Sequence, residues 1–169
     1  MSTERIKKID FLARKNRGLH IKQEVARRFG MSLGLPSNRI KFADLEDTDD
    51  LNAKATYEEM FAEAAVKRRN RSFYLYTEDK RCVDDVIKKI KETFKDVPMI
   101  LLHEAAELTG GIELSLDACL DNYEHLAQFN GEDLAAVSND LNTALMIEYF
   151  TDSTEEGNKN VYRLAAWQE

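Results

Sequence analysis

Apolar residues recur every three or four positions near the start of this chain and every second position near its end, so helices are expected first and strands last. Ile6, Ile9 and Leu12 form one helical stripe that Thr3 can cap. This first helix is expected to reach about Asn16, where Arg17-Gly18 interrupts it. Ile21, Val25 and Phe29, spaced by four, predict a second helix with Gly30 as its stop. Residues 31 to 55 hold Gly34, Pro36 and the run Asp44, Asp47, Asp49, Asp50, and read as an ordered connector with short elements. Thr56 and Glu59 have capping-box spacing ahead of a short helix with Met60, Phe61 and Ala64, closed by Lys67, Arg68, Arg69 and Arg71.

From residue 72 the period changes. Ser72 to Glu78 reads as a strand, and a helix from about Asp79 to Lys95 turns Val83, Ile87, Ile90 and Phe94 inward. Val97 to His103 predicts a second strand, and the helical connection favours a parallel, right-handed pairing with the first. Thr109-Gly110-Gly111 turns the chain into a short strand, Ile112 to Ser115, after which Ser115 caps a helix from Leu116 to about Gln128. Three strands follow, at about Leu134 to Ser138, Ala144 to Phe150 and Val161 to Trp167, with turns at Asn139-Asp140 and Glu156-Gly157-Asn158. The expected fold class is α+β: N-terminal helices, a β-α-β unit and an antiparallel meander forming one mixed sheet, with helices packed on it. The 169 residues suit a single domain, 1–169, with 1–71 mainly helical and 72–169 carrying the sheet. Met146 and Phe150 are apolar opposite Leu145, Ile147 and Tyr149, so that strand should be covered on both sides, by the N-terminal helices or by another chain, with the helices the favoured cover.

Charge changes this picture more than composition does. The net charge is −7, but residues 1 to 40 hold ten Lys or Arg against three acids, whereas residues 96 to 158 hold fourteen acids and no Lys or Arg. Ordinary surfaces intersperse the two signs. A solvated acidic face, partly paired with the chain's own basic N-terminus, is one explanation; a surface for a basic partner is the other. On the predicted helix from Leu116, Asp117, Asp121 and Glu124 fall on one row beside an apolar stripe of Leu116, Leu120, Tyr123 and Ala127. Like charges four apart weaken a helix, so the row points to function rather than stability. Glu104, Glu107, Glu113, Glu132 and Asp133 flank it in sequence, and together these eight carboxylates are the candidate partner-binding set.

Catalytic signatures are weak. His103, Glu104 and Glu107 give HExxE without the second His that a zinc helix needs, and His103 at a strand end reads as a buried, satisfied ring. The Asp-rich run has no EF-hand glycine or closing Glu, and no phosphate loop, GxGxxG or GxSxG is present. Cys82 and Cys119 have no metal or redox spacing and read as reduced packing residues. The expectation is a non-enzyme with no cofactor or metal, cytoplasmic, with no membrane span and no apolar signal core behind MSTERIKKIDFLARKNRG.

An alternative from another class is a nucleic-acid-binding regulator. Lys22, Arg27 and Arg28 lie outside the Ile21-Val25-Phe29 stripe, and two short helices meeting at Gly18 would loosely match a helix-turn-helix. The segment with fourteen acids would be repelled by phosphate. A further alternative is an acidic phage-type antagonist of a host nucleic-acid-binding protein. The order strand, helix, strand, short strand, acidic helix and three meander strands ending YRLAAW, with LMIEYF at Leu145 to Phe150, resembles the small acidic immunity proteins of bacterial polymorphic-toxin and contact-dependent inhibition systems. The resemblance covers residues 72 to 167. It implies a stoichiometric inhibitor that neutralises a basic toxin, often a nuclease, by direct binding.

Overall fold

One helix, α1 (Thr3–Leu33), stands where two were expected. In the computed structural model, which describes residues 3–54, 71–154 and 157–169, Gly18 does not break the helix. It lies where α1 crosses the four-residue helix α4 (Ala106–Thr109), and a Cβ there would stand 1.7 Å from the Leu108 carbonyl oxygen. Gly30 is likewise a close approach, its Cβ position 2.4 Å from the Leu35 carbonyl oxygen. The stop falls instead at Gly34, whose φ of +66° suits glycine. Leu35 N–H donates to Gly30 O at 2.7 Å and Gly34 N–H to Met31 O at 3.4 Å, the paired closing bonds of a Schellman end. The continuous helix removes the turn on which the helix-turn-helix alternative depended.

Which side of α1 docks also differs from expectation. Ile6, Ile9 and Leu12, expected inward, are 46%, 51% and 49% exposed. The helix packs instead through Phe11, Arg14, Gly18, Ile21, Val25 and Phe29, on its opposite side at 100° per residue. Aliphatic residues occupy both sides, so periodicity alone could not choose between them. Arg14 secures the docking by donating to both carboxylate oxygens of Asp49 and, at 3.0 Å, to the Glu107 carbonyl.

The Asp-rich stretch is the front of a second helix, α2 (Leu45–Lys54), with Leu45, Thr48 and Leu51 buried. Glu46 and Asp47 sit in its first turn, near the positive end of the helix dipole, which favours them there. A 3-10 turn at Ser37–Arg39 and an isolated bridge between Phe42 and Ile112 fill the rest of the connector. The expected helix after Thr56 falls outside the described residues.

The sheet has strands β1 (Ser72–Thr77), β2 (Pro98–Leu102), β3 (Ile112–Ser115), β4 (Leu134–Val137), β5 (Thr143–Thr154) and β6 (Gly157–Gln168), in the order β1-β6-β5-β4-β2-β3. Every neighbouring pair is antiparallel. The parallel pairing expected of β1 and β2 does not form. They run the same way, but β6, β5 and β4 lie between them, because the long β5–β6 hairpin inserts beside β1 and occupies the edge that β2 would have used. The helix α3 (Lys80–Thr93) forms as expected, with the Asp79 carboxylate accepting from Arg81 N–H and Val83, Ile87, Ile90 and Phe94 buried.

Strand alternation divides the core in two. Met99, Leu101, Ile112, Leu134, Ala136, Leu145, Ile147, Leu164 and Ala166 face α3, the later helices and the C-terminal half of α1. Ile100, Leu102, Ala135, Val137, Ala144, Met146, Ala165 and Trp167 face the other way, where Ala43, Leu51 of α2 and Leu141 pack on them. The central strands are therefore covered on both sides, and their residues read as near-continuous apolar runs for that reason. Gln168 fastens the end of β6 to the segment before β2, accepting from Lys95 N–H at 2.7 Å and donating to Lys95 O at 2.8 Å. Cys82 and Cys119 are free thiols, and burial pushes Cys119 up to about 12.

Candidate partner-binding surface

The acidic helix expected over 116–128 is two helices, α5 (Leu116–Asp121) and α6 (Tyr123–Phe129). Ser115 caps the first through Ala118 N–H as predicted, but Asn122 leaves the helical region at φ −124°, ψ 18°. Its side chain folds back to donate to Ala118 O at 2.9 Å. A side chain that hydrogen-bonds the preceding turn competes with continued helix. The break divides the carboxylate row, with Asp117 and Asp121 on α5 and Glu124 on α6.

Lysines of α3 then neutralise part of the row. Lys91 pairs with Asp121, and Lys80 bonds Glu124 at 2.9 Å and Asp84 at 3.3 Å. Hydrogen bonding to Glu124 holds the Lys80 ammonium above its ordinary value, against a smaller desolvation penalty. Asp117 is half-buried and donates its backbone N–H to Asp96. Among the described residues no carboxylate from Asp96 onward is ion-paired to a cation of residues 3–39.

A second group of predicted carboxylates gathers around the turn after α6. Gly131 at φ +75° and Glu132 at φ +80° are consecutive left-handed residues, and Glu132 N–H closes the helix end onto Ala127 O at 2.7 Å. A side-chain-bearing residue there costs roughly 1 kcal/mol, so Glu132 is held at a position that local conformation alone would give to glycine. Glu104 N–H donates to the Asn130 side chain, and Glu104 Oε1 stands 3.3 Å from where a Gly131 Cβ would be. Asp133 follows, half-buried, its carboxyl raised first by burial and then by Glu148. Glu148 pairs with Arg163. Glu104, Glu124, Glu132 and Asp133 thus share one end of the molecule, and among the described residues Glu104, Glu132 and Asp133 make no ion pair.

Glu107 and Glu113 are not part of that group. Glu107 lies on α4 beside Arg14, on the side where α1 docks. Glu113 is on the edge strand β3, in a shallow cleft with Lys41, Asp44 and Asp47.

Three tyrosines beside the acidic end were absent from the predicted set. Tyr123, Tyr149 and Tyr162, with Lys80, Glu124 and Glu132, line a cleft of about 230 Å³. Tyr149 and Tyr162 are paired across β5 and β6, ring centroids 4.7 Å apart and planes inclined by 35°. The Lys80 ammonium stands 5.7 Å from the Tyr123 ring centroid, and the Tyr123 hydroxyl donates to Asp84. The available signal was the alternation Leu145, Ile147, Tyr149, which extends the helix-covered face of the sheet with a ring rather than an aliphatic side chain.

His103 is buried, as expected. Its Nδ1 accepts from Ala105 N–H at 3.3 Å, while Nε2 meets Gly110 O at 3.2 Å and Thr109 Oγ1 at 3.3 Å, which assigns the proton to Nε2. Burial lowers its pKa, partly offset by the Gly110 carbonyl and Glu104. A depressed imidazole contributes stability that is complete above the unfolded value near pH 6.5 and is lost as pH falls through the folded pKa. Urea unfolding at about pH 7.5 and about pH 5 should show a loss of stability on acidification that His103→Gln diminishes. An equal loss in both proteins would place the titrating group elsewhere.

Among the described residues no helix is long and apolar enough to cross a membrane, and no cluster of three His, Cys, Asp or Glu is arranged to hold a metal. No protein-family model, curated protein or solved structure matches this chain.

Proposed function

We propose that this protein is a non-catalytic inhibitor of the immunity type, which neutralises a basic toxin or nuclease by docking it against the acidic end around the Asn130–Asp133 turn. The observation that carries this reading is the gathering of Glu104, Glu124, Glu132 and Asp133 at one end, with none of them paired to the basic N-terminal helix. Glu104 and Glu132 are exposed and Glu132 is held in a left-handed conformation, a placement that sets a carboxylate outward at a conformational cost. Such a surface accelerates encounter with a cationic protein and rejects anionic ones. Asp121 and Glu124 contribute less than their row in the sequence suggests, because solvent-exposed pairs with Lys91 and Lys80 already satisfy them in part.

The test begins with affinity capture of the basic partner from the cells that carry this chain, followed by calorimetry on the purified pair. Replacing Glu104, Glu124 and Glu132 together with glutamine should weaken binding by about tenfold or more and flatten its dependence on salt. Wild-type affinity and an unchanged salt slope in the triple variant would overturn the assignment.

A further inference from the structure

We propose that the tyrosine-lined cleft seats one arginine side chain of the basic partner, its guanidinium stacked on the Tyr149–Tyr162 pair and hydrogen-bonded to Glu132. This deepens the acidic-end reading and rests on it. The chain's own Lys80 already uses the same chemistry in this cleft. Its ammonium bonds Glu124 at 2.9 Å and lies within cation–π range of Tyr123. The same cleft offers two more rings and Glu132, which makes no ion pair among the described residues.

Size and chemistry together select the occupant. At about 230 Å³ the cleft lies below the usual range of small-molecule sites and suits a single long side chain. Guanidinium is planar and weakly hydrated, stacks on aromatic faces and meets a carboxylate through two parallel donors, whereas an ammonium is a compact, strongly hydrated point charge. Tyrosines also offer contact area at little entropic cost, having few torsions to freeze. The cross-strand partnership of Tyr149 and Tyr162 holds that surface in place before a ligand arrives.

The probe is acetyl-Gly-Arg-Gly-amide, titrated into the full chain while the tyrosine ring resonances are followed by NMR, with the matching lysine peptide as comparison. Ring shifts of Tyr149 and Tyr162 should saturate, and the arginine peptide should bind more tightly than the lysine peptide by about threefold or more, because only guanidinium adds planar stacking and two parallel donors to the carboxylate. Tyr149→Leu and Glu132→Gln should each weaken it by a similar factor. Glu132→Gln lies on an exposed turn and carries the test if Tyr149→Leu fails to fold. Shifts that do not saturate, equal affinity for the two peptides, or wild-type affinity in Glu132→Gln would overturn the arginine seat. With the captured partner, normal binding by Tyr149→Leu alongside weakened binding by the triple glutamine variant would remove the seat and leave the acidic-end reading standing. Normal binding by both variants would remove both.

Discussion

Replacing Phe29 with alanine is expected to lower the free energy of unfolding by about 3 to 5 kcal/mol, measured by urea denaturation. Phe29 is fully buried on α1 and meets Phe129 of α6 edge to face, ring centroids 5.1 Å apart. Its removal forfeits the transfer free energy of a whole ring and leaves a cavity bounded by helices and the β-sheet, which collapse only in part. The same contact helps to hold the C-terminal half of α1 to the body, while residues 4–10 are exposed throughout. A loss below about 1 kcal/mol would mean that α1 is not docked as described.

The second large effect is a glycine whose replacement should act against its helical propensity. In an ordinary helix Gly18→Ala would be worth about 1 kcal/mol of added stability. Here the new methyl group would stand 1.7 Å from the Leu108 carbonyl oxygen, which belongs to backbone and cannot rotate aside. Overpacking of this kind costs about 1 to 3 kcal/mol, so the net effect should be a loss, with α1 displaced from α4. A thermal midpoint that rose in the variant would refute the crossing. Because the Arg14 bonds to Asp49 and to the Glu107 carbonyl depend on that crossing, Arg14→Ala should lose much of its effect in the Gly18→Ala background.

These two positions also show why the N-terminus was harder to read than the rest. Gly18 and Gly30 carry the same sequence signal as a helix stop, but each is a site of backbone contact with another part of the chain. The exposed Ile6, Ile9 and Leu12 are as apolar as the buried Val25 and Phe29, so hydrophobicity did not separate the docked face from the free one. The helix α3 was legible to within two residues at each end, because the single apolar stripe of Val83, Ile87, Ile90 and Phe94 leaves only one face to bury.

The candidate site was legible in composition and not in arrangement. Eight carboxylates could be named from the lysine-free stretch, but four of them meet at the Asn130–Asp133 end and four do not. Asn122 breaks the helix that would have aligned Asp117, Asp121 and Glu124, a local competition between a side-chain amide and the backbone. Tyr149 and Tyr162 are thirteen residues apart, and their contact depends on the register of the β5–β6 hairpin.

By itself the amino-acid sequence determined what is short in range: the class α+β, the six strands, the helix α3, the cap at Ser115 and the segregation of charge. Those follow from periodicity and from bonds spanning a few residues. Only the tertiary structure decided the strand order, the docked side of α1 and which carboxylates Lys80 and Lys91 neutralise. Each of these is a choice among surfaces of similar local energy, settled by which apolar areas can be buried together, and partners such as Lys80 and Glu124 or Lys91 and Asp121 lie too far apart in the chain for any short window to hold both.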